Sequence, residues 1–215
     1  MILDQNKRLE PYLKEKRLLK LYESTRTRFE ESGLVAHNWD HTYRDVINAI
    51  WIGEAEGADM EIVLPSMILH DIGFLHNPDF KIHHRVGAEH CGEWLTDWEP
   101  GQVEKITRCI LTHKGSTLGF DQKPNTIEEK VVCDADSLEK TGHMGILQGA
   151  RVFVEFAANG MDKYKLLSDM AEYFSMIPPM TFFTETGKRI AESRGGDFRG
   201  RFSKKALDEL AAYRD

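Results

Sequence analysis

The sequence predicts an all-α protein. Three observations carry that expectation: apolar residues recur at helical spacing along nearly the whole chain, no run alternates in the β manner, and no internal repeat is present. The 215 residues fit one domain, or one domain with an appendage. With 41% hydrophobic, 10% aromatic and 29% charged residues there is ample material for a core, which excludes disordered, collagen-like and disulfide-knotted classes.

The elements follow in order. Leu9, Leu13, Leu18, Leu19 and Tyr22 alternate with charges in a long amphipathic opening segment whose start Pro11 delays. Tyr43, Val46, Ile47, Ile50 and Trp51 mark a second helix after a Trp39-Asp40 start signal, weakened at its end by Gly53 and Gly57. Pro65 is expected to open the segment Ser66–Leu75, and Gly73 with Asn77-Pro78 to close it. A loop of about ten residues should precede the stripe of Val86, Ala88, Cys91 and Leu95. Pro100-Gly101 breaks the chain, and Val103, Ile106, Ile110 and His113 then share one helical face. Ile127, Val131, Ala135 and Leu138 mark the next helix, with two more over 146–158 and 164–177. Pro178-Pro179 separates a final helical tail. The whole reads as a compact middle of five or more helices.

The formal charge of −7 argues against nucleic acid as the main partner, because phosphate contacts need clustered Lys and Arg. A metal can still bring an anionic substrate to an acidic protein. The tail between Lys188 and Lys205 holds seven basic residues (Lys188, Arg189, Arg194, Arg199, Arg201, Lys204, Lys205) against Glu192 and Asp197. It reads first as a solvated surface and only second as a phosphate clamp. Cys91, Cys109 and Cys133 form no CxxC pair, as expected of free thiols in a reducing compartment. The opening residues carry no apolar leader and no stretch reaches membrane-spanning length, so a soluble, cytoplasmic protein with no membrane partner is expected.

Histidine is the unusual feature. All nine lie between His37 and His143, which concentrates the chemistry in the middle of the chain. His41, His70-Asp71, His83, His113 and either Asp134 or Asp136 fall on successive helices. Imidazole with carboxylate suits a divalent ion such as Mn, Fe, Co, Ni or Zn, with Mg also admitted. Adjacent residues such as His70 and Asp71 project ~100° apart around a helix, so that helix must point at the site for both to reach one ion. The His residues stand about 30 positions apart, unlike a zinc finger or an HExxH helix, which favours a catalytic over a structural metal.

The strings Trp39-Asp40-His41-Thr42-Tyr43-Arg44, Leu69-His70-Asp71-Ile72-Gly73 and Val131 through Leu138 resemble the H…HD…D signature of the HD-domain superfamily of metal-dependent phosphohydrolases. The resemblance covers roughly residues 35–140. His83-His84-Arg85-Val86-Gly87-Ala88 and Ile110-Leu111-Thr112-His113 look like the H-x-x-V-G-A and I-x-x-H segments of HD-type diadenosine tetraphosphate hydrolases. The resemblance implies an HD helical bundle with additional N- and C-terminal helices: residues 1–34 packed on the core, 35–178 as the metal-binding domain, and 179–215 as the tail. It implies one or two divalent ions, the first held by His41, His70, Asp71 and Asp136, the second by Asp71, His83 and His113. Asp71, His83 and His113 are then the catalytic residues, and Arg44, Arg85 and Lys114 the candidates for steadying a substrate phosphate. The family pattern selects Asp136, while helical phase puts Asp134 with Ile127, Val131 and Leu138; Asp136 is preferred and Asp134 kept as a supporting or capping residue. His84 stands as the alternative to His83, and His90, on the same helical face as His83 if that helix extends so far, is the further histidine expected near the site.

The implied activity is hydrolysis of a phosphate ester or anhydride in a nucleotide or other small phosphorylated metabolite, through a metal-activated water. Two other readings compete: an HD-type di-iron oxygenase with the same six donors, and a non-catalytic, ligand-sensing HD module. Stringent-response hydrolases carry acidic residues soon after HD, where this chain has Ile72-Gly73-Phe74-Leu75. Cyclic-dinucleotide phosphodiesterases need a Gly-Tyr-Pro element that His113-Lys114-Gly115-Ser116 does not provide. Two roles fit the tail after Pro179: closing over the site, or packing against a second subunit of a homo-oligomer.

Overall fold

The computed structural model describes residues 6–114, 122–158 and 180–196, together with residues 205, 208 and 209. The described residues form α-helices, short 3-10 turns and loops, with no strand among them, so the protein is all-α. After a 3-10 turn at Tyr12–Lys14, α1 spans Lys16–Glu31, α2 Trp39–Glu56, α3 Met60–Leu69 and α4 His83–His90. They are followed by α5 Pro100–Thr112, α6 Ile127–Leu138, α7 Gly142–Ala158 and α8 Glu185–Ser193. The helix expected over 164–177 and the Pro178-Pro179 break lie outside the described residues.

Local chemistry sets the helix ends. Glu15 accepts hydrogen bonds from the backbone N–H groups of Arg17 and Leu18 at the start of α1, and Thr126 accepts from Glu129 at the start of α6. Gly57 ends α2 in the left-handed region at φ 69°, where a side chain would be strained. Pro100 takes the first position of α5, where its missing N–H costs nothing.

Two boundaries differ from the sequence expectation. Pro65 lies inside α3, which starts at Met60 behind an Asp59 cap. The carbonyl that Pro65 leaves without a helical partner is that of Glu61, an exposed residue that water can reach. The loop before α4 is also shorter than expected, because Asp79 accepts the backbone N–H of His83 and starts the turn that α4 continues. His83 and His84 are therefore helical residues rather than loop residues.

α2 and α3 pack on each other and on α6, and α5 closes over α3, α4 and α6. α1 lies against α3 and α2, while α8 returns to α6 and α2. Every residue of α3 from Ile62 to Leu69 is buried, the mark of a helix surrounded on all sides. Ile50, Met67, Ile68, Ile72, Ile106, Ile110 and Val131 form the centre of the core. Each such side chain contributes about 1.5–3 kcal/mol by leaving water. No helix among the described residues is long and apolar enough to cross a membrane. Cys91, Cys109 and Cys133 are buried free thiols, and burial pushes that of Cys109 up to about 12.

Candidate metal centre

The donors gather because they sit near helix ends that converge. Asn38 caps α2 by accepting the His41 N–H at 3.2 Å, which places His41 in the first turn. α3 stops at Leu69, so His70 is its last, capping residue, and Asp71 leaves helical geometry at φ −103°, ψ 8°. That break lets two adjacent side chains enter one space. His83 opens α4, His113 follows the end of α5, and Asp136 lies in the last turn of α6.

Two groups of donor atoms result. His41, Asp45, His70 and Asp136 form one, and Asp71, His83 and His113 the other; within each, the donor atoms lie within 4.8 Å of one another. Asp71 faces both. Its Oδ2 is 3.4 Å from His41 Nε2 and 3.2 Å from His70 Nε2, while its Oδ1 is 3.5 Å from His83 Nε2 and 3.6 Å from His113 Nε2.

Backbone carbonyls fix the tautomers. His70, His83 and His113 each donate Nδ1–H to a carbonyl three residues back: Met67 at 2.7 Å, Phe80 at 2.7 Å and Ile110 at 2.6 Å. A carbonyl can only accept, so in the neutral ring Nε2 carries a lone pair. The lone pairs of His83 and His113 meet at 3.1 Å, and all three face carboxylate oxygens. Such an arrangement is repulsive unless a cation stands between the groups, and it is the one in which metal-binding histidines are held. The donor set therefore fits divalent metal.

The electrostatics agree. Burial works against charge on His41 and His70, yet Asp45 and Asp71 raise the basicity of both rings above its usual range. Burial also works to raise the Asp71 carboxyl, but His70, His113 and His41 hold it well below the usual value. His83 is pushed well down, first by burial, with the neighbouring rings adding to it. The place between His41, His70 and Asp71 thus attracts positive charge, by proton or by metal.

The structure separates the pairs that sequence spacing left open. Asp136 faces the histidines, with Oδ1 3.8 Å from His41 Nε2, and its other oxygen is 2.6 Å from Lys140 Nζ. Asp134 instead holds Thr184, the N-cap of α8, accepting from the N–H groups of Phe183 and Thr184 and from the Thr184 hydroxyl. His83 joins the cluster; His84, buried beside it on α4, belongs to neither donor group among the described residues. His90 lies elsewhere, stacked on His76 at 4.0 Å and bonded to Glu93.

The three cations expected near a substrate are differently placed. Arg44 donates to Glu139 at 2.6 Å and to Asp40, and so braces the cluster from behind: Glu139 Oε2 stands 3.7 Å from His41 Nδ1. Arg85 is exposed on α4, and Lys114 Nζ donates to the Lys81 carbonyl at 2.8 Å. Of the basic tail, Lys188 pairs with Glu185 and Arg194 donates to Asn48 and to the Leu138 carbonyl. Arg199, Arg201 and Lys204 lie outside the described residues.

Three residues in or beside the cluster were not singled out from the sequence as site residues. Asp45 follows His41 by one helical turn, a spacing that puts both on one face. Glu139 follows Asp136 by three residues. His37 stacks on Phe74 at 4.0 Å, beside the His83 ring, and its Nδ1 meets Glu155 at 2.5 Å. The last contact joins residues far apart in sequence, so no local spacing announces it.

The HD domain family model matches residues 38–141, and every donor from His41 to Asp136 lies in that span. The chain belongs to the HD-domain superfamily. The uncharacterized protein YpgQ of Bacillus subtilis (strain 168) is 30% identical over 174 residues, covering 77% of this chain and 79% of YpgQ. A predicted HD superfamily hydrolase from an uncultured Thermotogales bacterium superposes with a TM-score of 0.64 at 26% identity, over 96% of this chain and 99% of that one. YpgQ crystallised in complex with ADP shares the fold, with a TM-score of 0.53 at 23% identity over 90% of this chain and 95% of its own.

Proposed function

We propose that this chain is a metal-dependent phosphohydrolase that cleaves a phosphate ester or anhydride of a nucleotide or another small phosphorylated metabolite. The observation that carries the reading is Asp71, whose two oxygens face two separate sets of imidazole donors. In this reading His41, His70, Asp71 and Asp136 hold one divalent ion and Asp71, His83 and His113 a second. Bound there, the ions supply an activated water and neutralise charge on the phosphoryl oxygens.

The chain's own residues hold the geometry. The Met67, Phe80 and Ile110 carbonyls fix three rings with Nε2 inward, and Glu139 steadies His41 while Arg44 steadies Glu139. Asp71, His83 and His113 border the place where the water would be held. Arg85, two residues after His83 on α4, and Lys114, next to His113 past the end of α5, are assigned to the substrate phosphate. Residues 35–178 are assigned the chemistry, with 1–34 and 179–215 as additions to that domain. The structure of YpgQ with ADP supports a nucleotide as the first substrate class to try. Buried free thiols support a reducing, cytoplasmic setting.

The test is phosphate release from nucleotides, dinucleoside polyphosphates and sugar phosphates, with Mn, Fe, Co, Ni or Mg supplied and Asp71→Ala as control. Release that disappears in the variant is expected. Silence across the panel, with oxygen consumed by the iron-loaded protein, would replace the hydrolase by the di-iron oxygenase.

A further inference from the structure

We propose that Asp45 is an additional protein ligand of the first metal position and makes it a carboxylate-rich site for a hard divalent ion, Mn(II) or Mg(II). The inference rests on the metal-centre reading above and goes beyond its donor sets.

Asp45 lies one turn beyond His41 on α2, so helical geometry alone aims both side chains at the same space. Its exposure is 0%, and neither carboxylate oxygen has a hydrogen-bond partner. Buried carboxylates ordinarily accept several hydrogen bonds or meet a cation, since removal from water is otherwise uncompensated. What Asp45 meets is the donor cluster: Oδ2 is 3.2 Å from His41 Nε2 and 3.5 Å from His70 Nε2. His70 Nε2 is lone-paired because its Nδ1–H goes to Met67, so it offers Asp45 no proton in the neutral ring. A cation shared with His41 and His70 satisfies these atoms, and a metal ion does so without a proton on either ring.

The consequence is an asymmetric centre. Asp45 and Asp136 with His41 and His70 form one donor group, which Asp71 Oδ2 also meets at His41 and His70; Asp71 with His83 and His113 forms the other. Oxygen donors suit Mn and Mg, whereas imidazole suits Zn, Fe and Ni. The first position should therefore take the harder ion and the second the softer one.

The experiment is Mn(II) binding to the metal-free full chain, read by the EPR signal of free Mn(II), for the unaltered protein, Asp45→Asn and Asp45→Val. Thermal melts without metal establish that each variant is folded, and Zn(II) binding reports on the second position. The expected result is that both variants weaken tight Mn(II) binding by at least ~10–100-fold, the range for disturbing a metal's supporting residues, and keep Zn(II) binding. Full Mn(II) affinity in Asp45→Asn would overturn ligation by Asp45, whatever Asp45→Val does. An unaltered chain that binds neither Mn(II) nor Zn(II) would overturn the metal-centre reading itself, and this inference with it.

Discussion

His83 donates Nδ1–H to the Phe80 carbonyl, which leaves its Nε2 directed at His113 and Asp71 at 3.1 and 3.5 Å. With one of its two imidazoles gone, the second position keeps too few donors to hold an ion. His83→Ala should therefore lower bound metal from two ions towards one per chain, as measured by elemental analysis after dialysis. Unchanged stoichiometry would count against the two-position reading. Glu155 offers a different test at this scale. Burial works to raise its carboxyl, but His37 and the N–H groups of Ala36 and His37 hold it below the usual range. A depressed folded value means stability that is fully present above the unfolded value and is lost as pH falls through the folded one. Glu155→Gln should cost about 1–3 kcal/mol near neutral pH by the usual worth of hydrogen bonds to a charged group. In urea melts the gap from the unaltered protein should close in acid; a pH-independent gap would refute the assignment.

The 3-10 turn Ile72–Leu75 and helix α4 touch backbone to backbone. A Cβ on Gly73 would lie 1.9 Å from the His83 carbonyl oxygen and 2.9 Å from the Gly87 nitrogen, closer than any side chain can come. Gly73 therefore sets how near α4, and so His83, stands to the His70-Asp71 corner. Gly73→Ala should destabilise by about 1–3 kcal/mol or more through overpacking and should also weaken retention of the second ion. Thermal melts and metal analysis would check both; an alanine variant with the unaltered midpoint and two ions would show that the approach is not required. The same element logic explains Asp134. It holds Thr184 at the start of α8, so its loss should loosen that helix and spare metal binding.

Buried carboxylates crowd the centre of the molecule: Asp45, Asp71, Asp136 and Glu139 all lie below one-tenth exposed. Lys140 and Arg44 meet Asp136 and Glu139, and a divalent ion among the remaining donors would add to that compensation and so stabilise the fold. At a metal concentration about one hundredfold over Kd the linkage is ~2.7 kcal/mol, roughly 5–10 °C in a chain of this size. Chelation should lower the melting temperature by that order, and Mn(II) should restore it. An unchanged midpoint would mean that the cluster is neutralised without metal. Calorimetry at two metal concentrations separates the cases.

The sequence by itself determined the all-α class, most helix positions and the ordered series His41, His70-Asp71, His113. Those depend on period and spacing, which are local properties of the chain. Two local rules misled: Pro65 sits where an exposed carbonyl tolerates it, and α4 begins early because Asp79 starts its turn. The resemblance preferred Asp136 to Asp134 and His83 to His84, but only the tertiary structure shows that Asp136 and His83 are the ones in the donor groups. Neighbouring residues on a helix have nearly the same local environment, and which one meets the histidines depends on how α4 and α6 are rotated against α2 and α5. The burial of Asp45 without hydrogen bonds and the His37–Glu155 contact needed the packed molecule for the same reason. A carboxylate becomes a ligand candidate when the fold buries it opposite lone pairs, and packing alone supplies that opposition.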